Sequence, residues 1–456
     1  MSETTKTPSV ISFGWIVTIT SLAFVVAQLD VSIVNIALPQ IAHTYQASIS
    51  TLQWIIDAYT LAFAVLMLSA GSISDLLGAK RIFQLGMFIF GVASVGCGFA
   101  WNANSLISFR VLQGLGAATM IPSSLAILNQ AFAHDPAKRT RAIGLWTAAG
   151  SAAIAAGPIV GGLLIEISNW RFIFFVNAPI CVAGILLSIK LRQQHTPVNK
   201  KFDFAGQIAW MLSITTLIAV IIEWPKWGFE NPLVFGGLIF SAIMLSLFLY
   251  IEKKVPHPML PLHLFRSSTF NTLLLLGAVL NGAYYGTVFI LSLYLQNVLH
   301  YPSLTAGLAF LPLTVGFVIS NLASGRIINR YGIRVPILIG LTLFIAGFAG
   351  LFIAKADTPY WQLLLPFLII PIGMGLAVPS MINGILASVD KSLSGTASAA
   401  LNTARQAAGA IGVAVFGSVA AGGDASILHA VSISAMISIT GAVLIAVLLF
   451  RYLKPV

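Results

Sequence analysis

Long apolar runs alternate with short polar breaks along almost the whole chain. A membrane helix needs about 20 apolar residues, and on that criterion the runs give about fourteen spans. Five fall near 13–36, 52–70, 82–100, 106–128 and 142–165, and a sixth opens at about Trp170. Two more lie near 204–222 and 233–251, followed by six near 271–295, 304–323, 335–354, 361–387, 396–421 and 428–449. Pro39 reads as the exit of the first span. The break from Gly71 to Arg81, GSISDLLGAKR, reads as a polar hinge, and a second copy, GRIINRYGIR, stands at Gly325 to Arg334. Gly71, Asp75 and Gly78 recur as Gly325, Asn329 and Gly332. Two such hinges in opposite halves predict a duplicated helical bundle.

The expected fold is therefore all-α and polytopic: two six-helix bundles with two extra helices between them. The boundaries are 1–190 for the first bundle, 191–267 for a linker carrying the two extra helices, and 268–456 for the second bundle. Composition agrees. The 456 residues are 58% hydrophobic and only 8% charged, and the mean hydropathy is +0.95, which leaves too little polar surface for a soluble globule. The apolar run after the polar segment 1–10 is too long for a secretory signal, so no signal is expected before the first span.

The net charge of +11 suggests nucleic acid only until its distribution is considered. Basic residues collect in alternate loops: Lys80 and Arg81; Lys138, Arg139 and Arg141; Lys190, Arg192, Lys200 and Lys201; Lys253, Lys254 and Arg266; Arg326, Arg330 and Arg334; Arg451 and Lys454. The intervening loops hold little beyond Lys226 and Lys355. This positive-inside pattern places both termini in the cytoplasm. Cys97 and Cys181 lie inside apolar spans and indicate neither a disulfide framework nor a metal site.

Ionisable residues inside spans are costly and call for an explanation. Asp30 and Asp57 fall at similar depth on neighbouring helices, where one or both can exchange a proton for a substrate; helix capping or structural pairing is the plainer alternative. Arg110 needs a carbonyl or carboxylate partner, and Arg405 reads as a structural arginine. Asp75 reads as a conformational latch, since a carboxylate at a helix end can bind the amide-rich start of another helix. Gly150, Gly157, Pro158, Gly161 and Gly162 build a fifth span that packs closely and bends. Glu166 with Arg171, and Glu223 with Trp224, read as solvated or snorkelling groups at helix ends. His257 and His263 have no metal spacing around them, so no metal is expected. Trp54, Trp146, Tyr284, Tyr285, Phe289 and Tyr294 are candidates for a drug-lining cavity, with helix packing or interfacial anchoring as the alternative for each. Neither a Walker-type phosphate loop nor a nucleophile constellation is present, which disfavours ATP drive and hydrolysis.

In order along the chain stand LDVSIVNIALP from Leu29 to Pro39, WIIDAYTL from Trp54 to Leu61, and GSISDLLGAKR. Then come Arg110, Gln113, Gly114, Gly116, Ala117 and Ala118, and the glycines and proline of the fifth span. With these motifs the chain resembles the major facilitator superfamily and, more narrowly, its fourteen-helix drug:proton antiporters. Ser32 stands in a threonine place, Leu76 where arginine is usual and Ala79 where a basic residue is usual. The resemblance implies a secondary transporter rather than an enzyme, in the inner or plasma membrane, monomeric and without cofactor. Its partners would be a lipophilic substrate, protons and the bilayer, with no nucleic acid. It ties Arg110 to proton transfer; the expected coupling residues are Asp30, Asp57 and Arg110, and the expected latch is Gly71, Asp75, Gly78, Arg81, Asn329 and Arg330. The expected activity is proton-coupled export of lipophilic, monocationic small molecules by alternating access. A monocation is expected because the spans of the second half contain no Asp or Glu, which leaves Asp30 and Asp57 as the acids of the cavity. The alternatives are a proton-coupled carrier of a metabolite and a non-transporting membrane sensor.

Overall fold

The computed structural model describes residues 12–191, 203–228, 230–256, 258–390 and 393–453; the side chains at 71, 72 and 75 lie outside that description. The residues at 192, 200, 201, 257 and 454, which enter the charge and histidine readings, also lie outside it.

The described chain is helical, with no strand among the described residues. The first half contributes α1 (Phe13–Tyr45), α2 (Ile49–Leu77), α3 (Ala79–Gly98), α4 (Ala103–Ala131) and α5 (Pro136–Ile167). A shorter apolar helix, α6 (Phe172–Ser188), follows. After it come α7 (Phe204–Trp227) and α8 (Pro232–Lys254). The second half contributes α9 (Ser268–Val298), α10 (Ser303–Tyr331), α11 (Arg334–Ile353) and α12 (Tyr360–Ala387), then α13 (Ser394–Val419) and α14 (Asp424–Tyr452). Twelve of these are long and apolar enough to cross a membrane. The other two are α6, which is short, and α13, whose small and polar residues dilute its hydropathy.

Side-chain caps start many of the helices. Ser48 accepts from the Thr51 amide at 3.3 Å. Asn102 and Ser105 form a reciprocal capping box, with the Ser105 amide 2.7 Å from Asn102 Oδ1. Each satisfies donors that the first helical turn leaves open. Glycines with positive φ end three helices: Gly78 at φ 91° after α2, Gly228 at φ 78° after α7 and Gly332 at φ 72° after α10. The polar hinge is thus shorter than the sequence suggests, because α2 runs helically through Gly71 to Leu77 and breaks only at Gly78. The matching stretch from Gly325 to Tyr331 is likewise helical. At the start of α3, Lys80 Nζ donates to the Ile189 and Leu191 carbonyls at 2.8 and 2.7 Å, closing the end of α6.

Pro39 does not end α1, which continues to Tyr45. Proline supplies no amide to the carbonyl four residues before it, so the Asn35 carbonyl is released. That carbonyl instead accepts the Ser292 hydroxyl of α9 at 2.5 Å.

In the first half α1 packs on α5, α3 on α4 and α2 on α4; in the second, α9 packs on α13, α11 on α12 and α10 on α12. The halves meet along α2 and α13, and along α5 and α10. Of the two helices between the halves, α7 lays Ile214, Ile218 and Ile222 against Leu61 and Val65 of α2 and Ala410 and Ala414 of α13. α8 packs on α7, and most of its large apolar side chains are exposed.

Candidate functional site

Asp30 and Arg110 face one another in the interior of the first half. α1 carries Asp30 and α4 carries Arg110; both are fully buried, and an Arg110 guanidinium nitrogen contacts Asp30 Oδ2. Further partners surround the pair. Arg110 Nε donates to the Ile55 carbonyl at 2.9 Å, and its Nη1 also reaches Gln113 Oε1 at 2.9 Å. Asp30 Oδ1 accepts from Gln113 Nε2 at 3.1 Å and from Asn177 Nδ2 at 2.9 Å. Gln113 Nε2 donates to Ser94 Oγ at 2.6 Å, and the guanidinium lies over the Tyr59 ring at 4.5 Å from its centre. Five helices thus meet at one buried ion pair. Such a pair is tolerated in low dielectric when its charges and lone pairs find partners, as both Asp30 oxygens and the Arg110 Nε and Nη1 do here. This corrects one expectation: Asp30 does not present a free charge to a cation, because Arg110 already compensates it.

Asp57 is different. It is fully buried on α2, and neither carboxylate oxygen has a hydrogen-bond partner. It shares a helix face with Gln53 one turn before it and Leu61 one turn after it. Gln53 Nε2 crosses to the other half and donates to the Val413 and Ala414 carbonyls of α13 at 3.1 and 2.6 Å. Leu61 packs with Ala410 and Ala414 and with the isoleucines of α7. Asp57 therefore lies at the seam between the halves, with α7 along its lipid side. The sequence shows both acids at one depth; their opposite bonding comes from the partners that each helix meets.

The halves are clasped at the end where α1 finishes and α2 begins. Besides the Ser292 contact, Gln296 Nε2 donates to the Ile36 carbonyl at 3.1 Å, and Ser418 Oγ ties the second half to the intervening α7 through the Ile221 carbonyl at 2.7 Å. The glycines of α5 make this closure possible. A Cβ at Gly161 would lie 2.8 Å from Ile33 Cγ1, and one at Gly162 would lie 2.8 Å from the Leu304 Cα. At Gly150 and Gly157 a Cβ would run into Phe24 and Ser32, and the Pro158 carbonyl abuts Gly307 of α10. α5 is thus seated on α1 within its own half and on α10 across the seam. At the far end of the same helix, Gly144 has nothing near a Cβ position, nor has Gly325 on α10. Arg81, Asn329 and Arg330, expected in the latch, are exposed there, and Arg330 lies over the Tyr331 ring at 5.2 Å. The side chains of Gly71 and Asp75 lie outside the described residues, and Gly78 contributes its positive φ.

Beneath the clasp a water-sized cavity of about 30 Å³ is lined by Val31, Ser32 and Asn35 of α1, Pro158 of α5, Tyr284 and Tyr285 of α9, and Thr314 of α10, among others. Of the six aromatic candidates only these two tyrosines line it. Trp54 Nε1 donates to Glu223 at 2.9 Å, Trp146 stacks on Phe24 at 4.0 Å and bonds Ser124, Tyr294 donates to the Lys355 carbonyl at 2.7 Å, and Phe289 is in the core. Glu223 is therefore tied to α2 rather than left to solvent. Arg171 lies over Trp170 and donates to the Gly98 and Ala100 carbonyls rather than meeting Glu166. No group of three or more metal-ligating side chains occurs among the described residues.

Comparison with known proteins agrees with this architecture. The family profile described as Major Facilitator Superfamily matches residues 20–413. The methylenomycin A resistance protein of Bacillus subtilis (strain 168) is 33% identical over 405 residues, spanning 87% of this chain and 85% of that protein. The puromycin resistance protein pur8 of Streptomyces alboniger is 34% identical over 423 residues, spanning 91% and 83%. Multidrug resistance protein Stp of Mycobacterium tuberculosis (strain CDC 1551 / Oshkosh) is 31% identical over 403 residues, spanning 88% and 75%. Among solved structures, a POT family transporter in complex with 5-aminolevulinic acid superposes with a TM-score of 0.73 at 12% identity, covering 97% of this chain and 96% of that one. Two helical halves joined along a seam, buried charges inside apolar helices and a family match across most of the chain lead to one conclusion: this multi-pass membrane protein belongs to the major facilitator superfamily and is a transporter, not an enzyme.

Proposed function

We propose that this chain exports lipophilic drugs in exchange for protons, as one of the superfamily's fourteen-helix drug:proton antiporters. The relatives named for resistance to methylenomycin A, to puromycin and to multiple drugs support export. The observation that carries proton coupling is Asp57, a buried carboxyl with no partner at the seam where the halves must move. An unpaired charge is costly in such a place and a protonated carboxyl is not, so movement of the halves that wets or dries the seam couples the proton to the transport cycle. The Asp30–Arg110 network then holds the helices of the first half in register and acts on Asp57 through the Ile55 carbonyl, two residues away on α2. The monocation expectation loses Asp30 as a support and rests on Asp57 alone.

In this reading 1–190 and 268–456 are the rocking bundles, and 191–267 carries the two extra helices. Both termini are cytoplasmic in a cell membrane, so the clasped end is the outer one and the conformer opens inward. The hinge residues Gly71, Asp75, Gly78, Arg81, Asn329 and Arg330 latch the inner end when the cavity opens outward. Proton entry supplies about 2.3 kcal/mol per 100 mV for each charge moved, which suits uphill export without ATP. Uptake of ethidium or puromycin into inverted membrane vesicles, measured with and without a protonophore, tests it. Uptake into the vesicles that collapses with the protonophore is expected; uptake indifferent to it would end the proton reading, and none at all would end the export reading.

A further inference from the structure

Arg405 stands near the middle of α13, eleven residues into a 26-residue helix. Its guanidinium cannot deprotonate and offers five donors with no acceptor. Among the described residues no hydrogen bond or ion pair reaches it, and its Nε is buried without a partner. The sequence explains why no carboxylate answers it: the acids of 268–453 are Asp357, Asp390 and Asp424, all in loops or at a helix end. Asp57 is on the facing helix, but both its oxygens are unpartnered too, so the two groups do not neutralise one another. A lone charge within a membrane helix is expensive and marks a pathway for ions or substrate.

Its surroundings connect it to the cavity. A Cβ at Gly277 of α9 would lie 3.3 Å from Arg405 Cγ, and one at Gly409, a turn further along α13, would lie 3.1 Å from the Tyr285 ring. Tyr285 is close enough to interact electrostatically with Arg405. It meets Tyr284 edge-on, with ring centres 5.6 Å apart, and both tyrosines line the cavity beside Ser32, Asn35 and Thr314. An aromatic, apolar wall thus leads from the cavity to an unanswered guanidinium, and no acidic side chain lines the cavity among the described residues.

We infer that Arg405 and Tyr285 form an anion subsite of the transport cavity, which takes the carboxylate or sulfonate of an otherwise aromatic, lipophilic substrate. The guanidinium fork pairs the anionic oxygens, as arginine does for planar carboxylates, and the two tyrosines hold the apolar body once movement of the halves widens the cavity. The subsite rests on the export reading only in treating the cavity as the transport path; binding is measurable without transport.

The test uses the full chain in nanodiscs and three fluorescent probes of one aromatic body: dansylglycine, which is anionic, dansylamide, which is neutral, and a dansyl amide bearing a trimethylammonium group. Dansylglycine is expected to bind about ten-fold tighter than the other two. Arg405→Gln is expected to remove that advantage while leaving dansylamide within about two-fold, which also shows that the variant is folded, and Arg405→Lys to retain part of it. Tightest binding of the trimethylammonium probe, equal loss for all three probes in Arg405→Gln, or no binding of dansylglycine would overturn the subsite. Ethidium efflux from cells making the same proteins separates the two claims. Ethidium efflux that survives while the probe order fails sinks the subsite alone, and a correct probe order without efflux of either ethidium or dansylglycine sinks the export reading alone.

Discussion

The two halves each carry an arginine within a membrane helix, and the two are treated in opposite ways. Arg110 has a carboxylate, an amide oxygen, a backbone carbonyl and an aromatic face; Arg405 has no bonded partner among the described residues. The acids divide likewise, Asp30 saturated and Asp57 bare. The lesson is that an embedded charge has a role set by its bonding rather than by its presence. The satisfied pair is framework, and its removal should damage the fold. The unsatisfied groups contribute little to the fold, and their removal should damage coupling or substrate choice.

The strongest way to break this contrast is to unpair the framework. Arg110→Leu leaves Asp30 as an unanswered buried charge, a change that typically costs about 3–5 kcal/mol. The folded yield in detergent, read by size-exclusion chromatography and thermal unfolding, should fall sharply, with Asp30→Asn following in the same direction. Asp57→Asn should leave the unfolding temperature almost unchanged, since no bond is lost, while proton-coupled transport drops by about ten-fold or more. Equal thermal damage from Arg110→Leu and Asp57→Asn would erase the contrast.

A smaller effect is expected at the clasp. Gly162→Val places new atoms against the Leu304 backbone, and overpacking of that kind costs about 1–3 kcal/mol. It acts mainly on the conformer in which α5 and α10 close, so cysteine labelling at Asn35 should become faster. Ser292→Ala removes the donor that answers the Asn35 carbonyl, worth about 0.5–1.5 kcal/mol, and should speed the same labelling less. Unchanged labelling in both would mean that the clasp is incidental.

The smallest effect is predicted at Asp135, the exposed cap of α5. Its hydrogen bond from the Lys138 amide, with help from the Lys138 side chain, holds its carboxyl below the usual value. A lowered folded value means that the cap stabilises above the ordinary carboxylate pKa of about 3.9 and that this contribution is lost as pH falls through the folded value. A slight drop in helical signal on acidification, absent in Asp135→Asn, is the expected result.

Much of this molecule is legible in its residues, and the rest fails for identifiable reasons. Apolar runs place the helices because lipid imposes a length and a composition, and the motif residues Asp30, Arg110, Gln113 and the α5 glycines fall at close contacts. The end of α1 is misread because a proline ends a helix only when nothing else takes the carbonyl it releases, and Ser292 does so from 257 positions away. The hinge is misread as longer than it is because polar residues are compatible with a helix that runs on past an apolar span. α13 has a modest apolar content, yet its small residues pack closely: a Cβ at Gly282 of α9 would lie 2.9 Å from the Ala408 carbonyl. Ser94 and Asn177 join the buried ion pair across long separations and belong to no local pattern. The isolation of Arg405 is invisible for a deeper reason, since a missing partner is a property of all the helices around it.

The central claim is that the bare acid, not the paired one, exchanges the proton. Purified wild-type protein and Asp57→Asn, each reconstituted in liposomes with a pH-sensitive dye inside, should be given a drug pulse under an imposed proton gradient. Wild type should move protons in step with the drug, whereas Asp57→Asn should still bind and exchange drug for drug but move no protons. Undiminished proton movement in Asp57→Asn, with drug transport intact, would contradict the account.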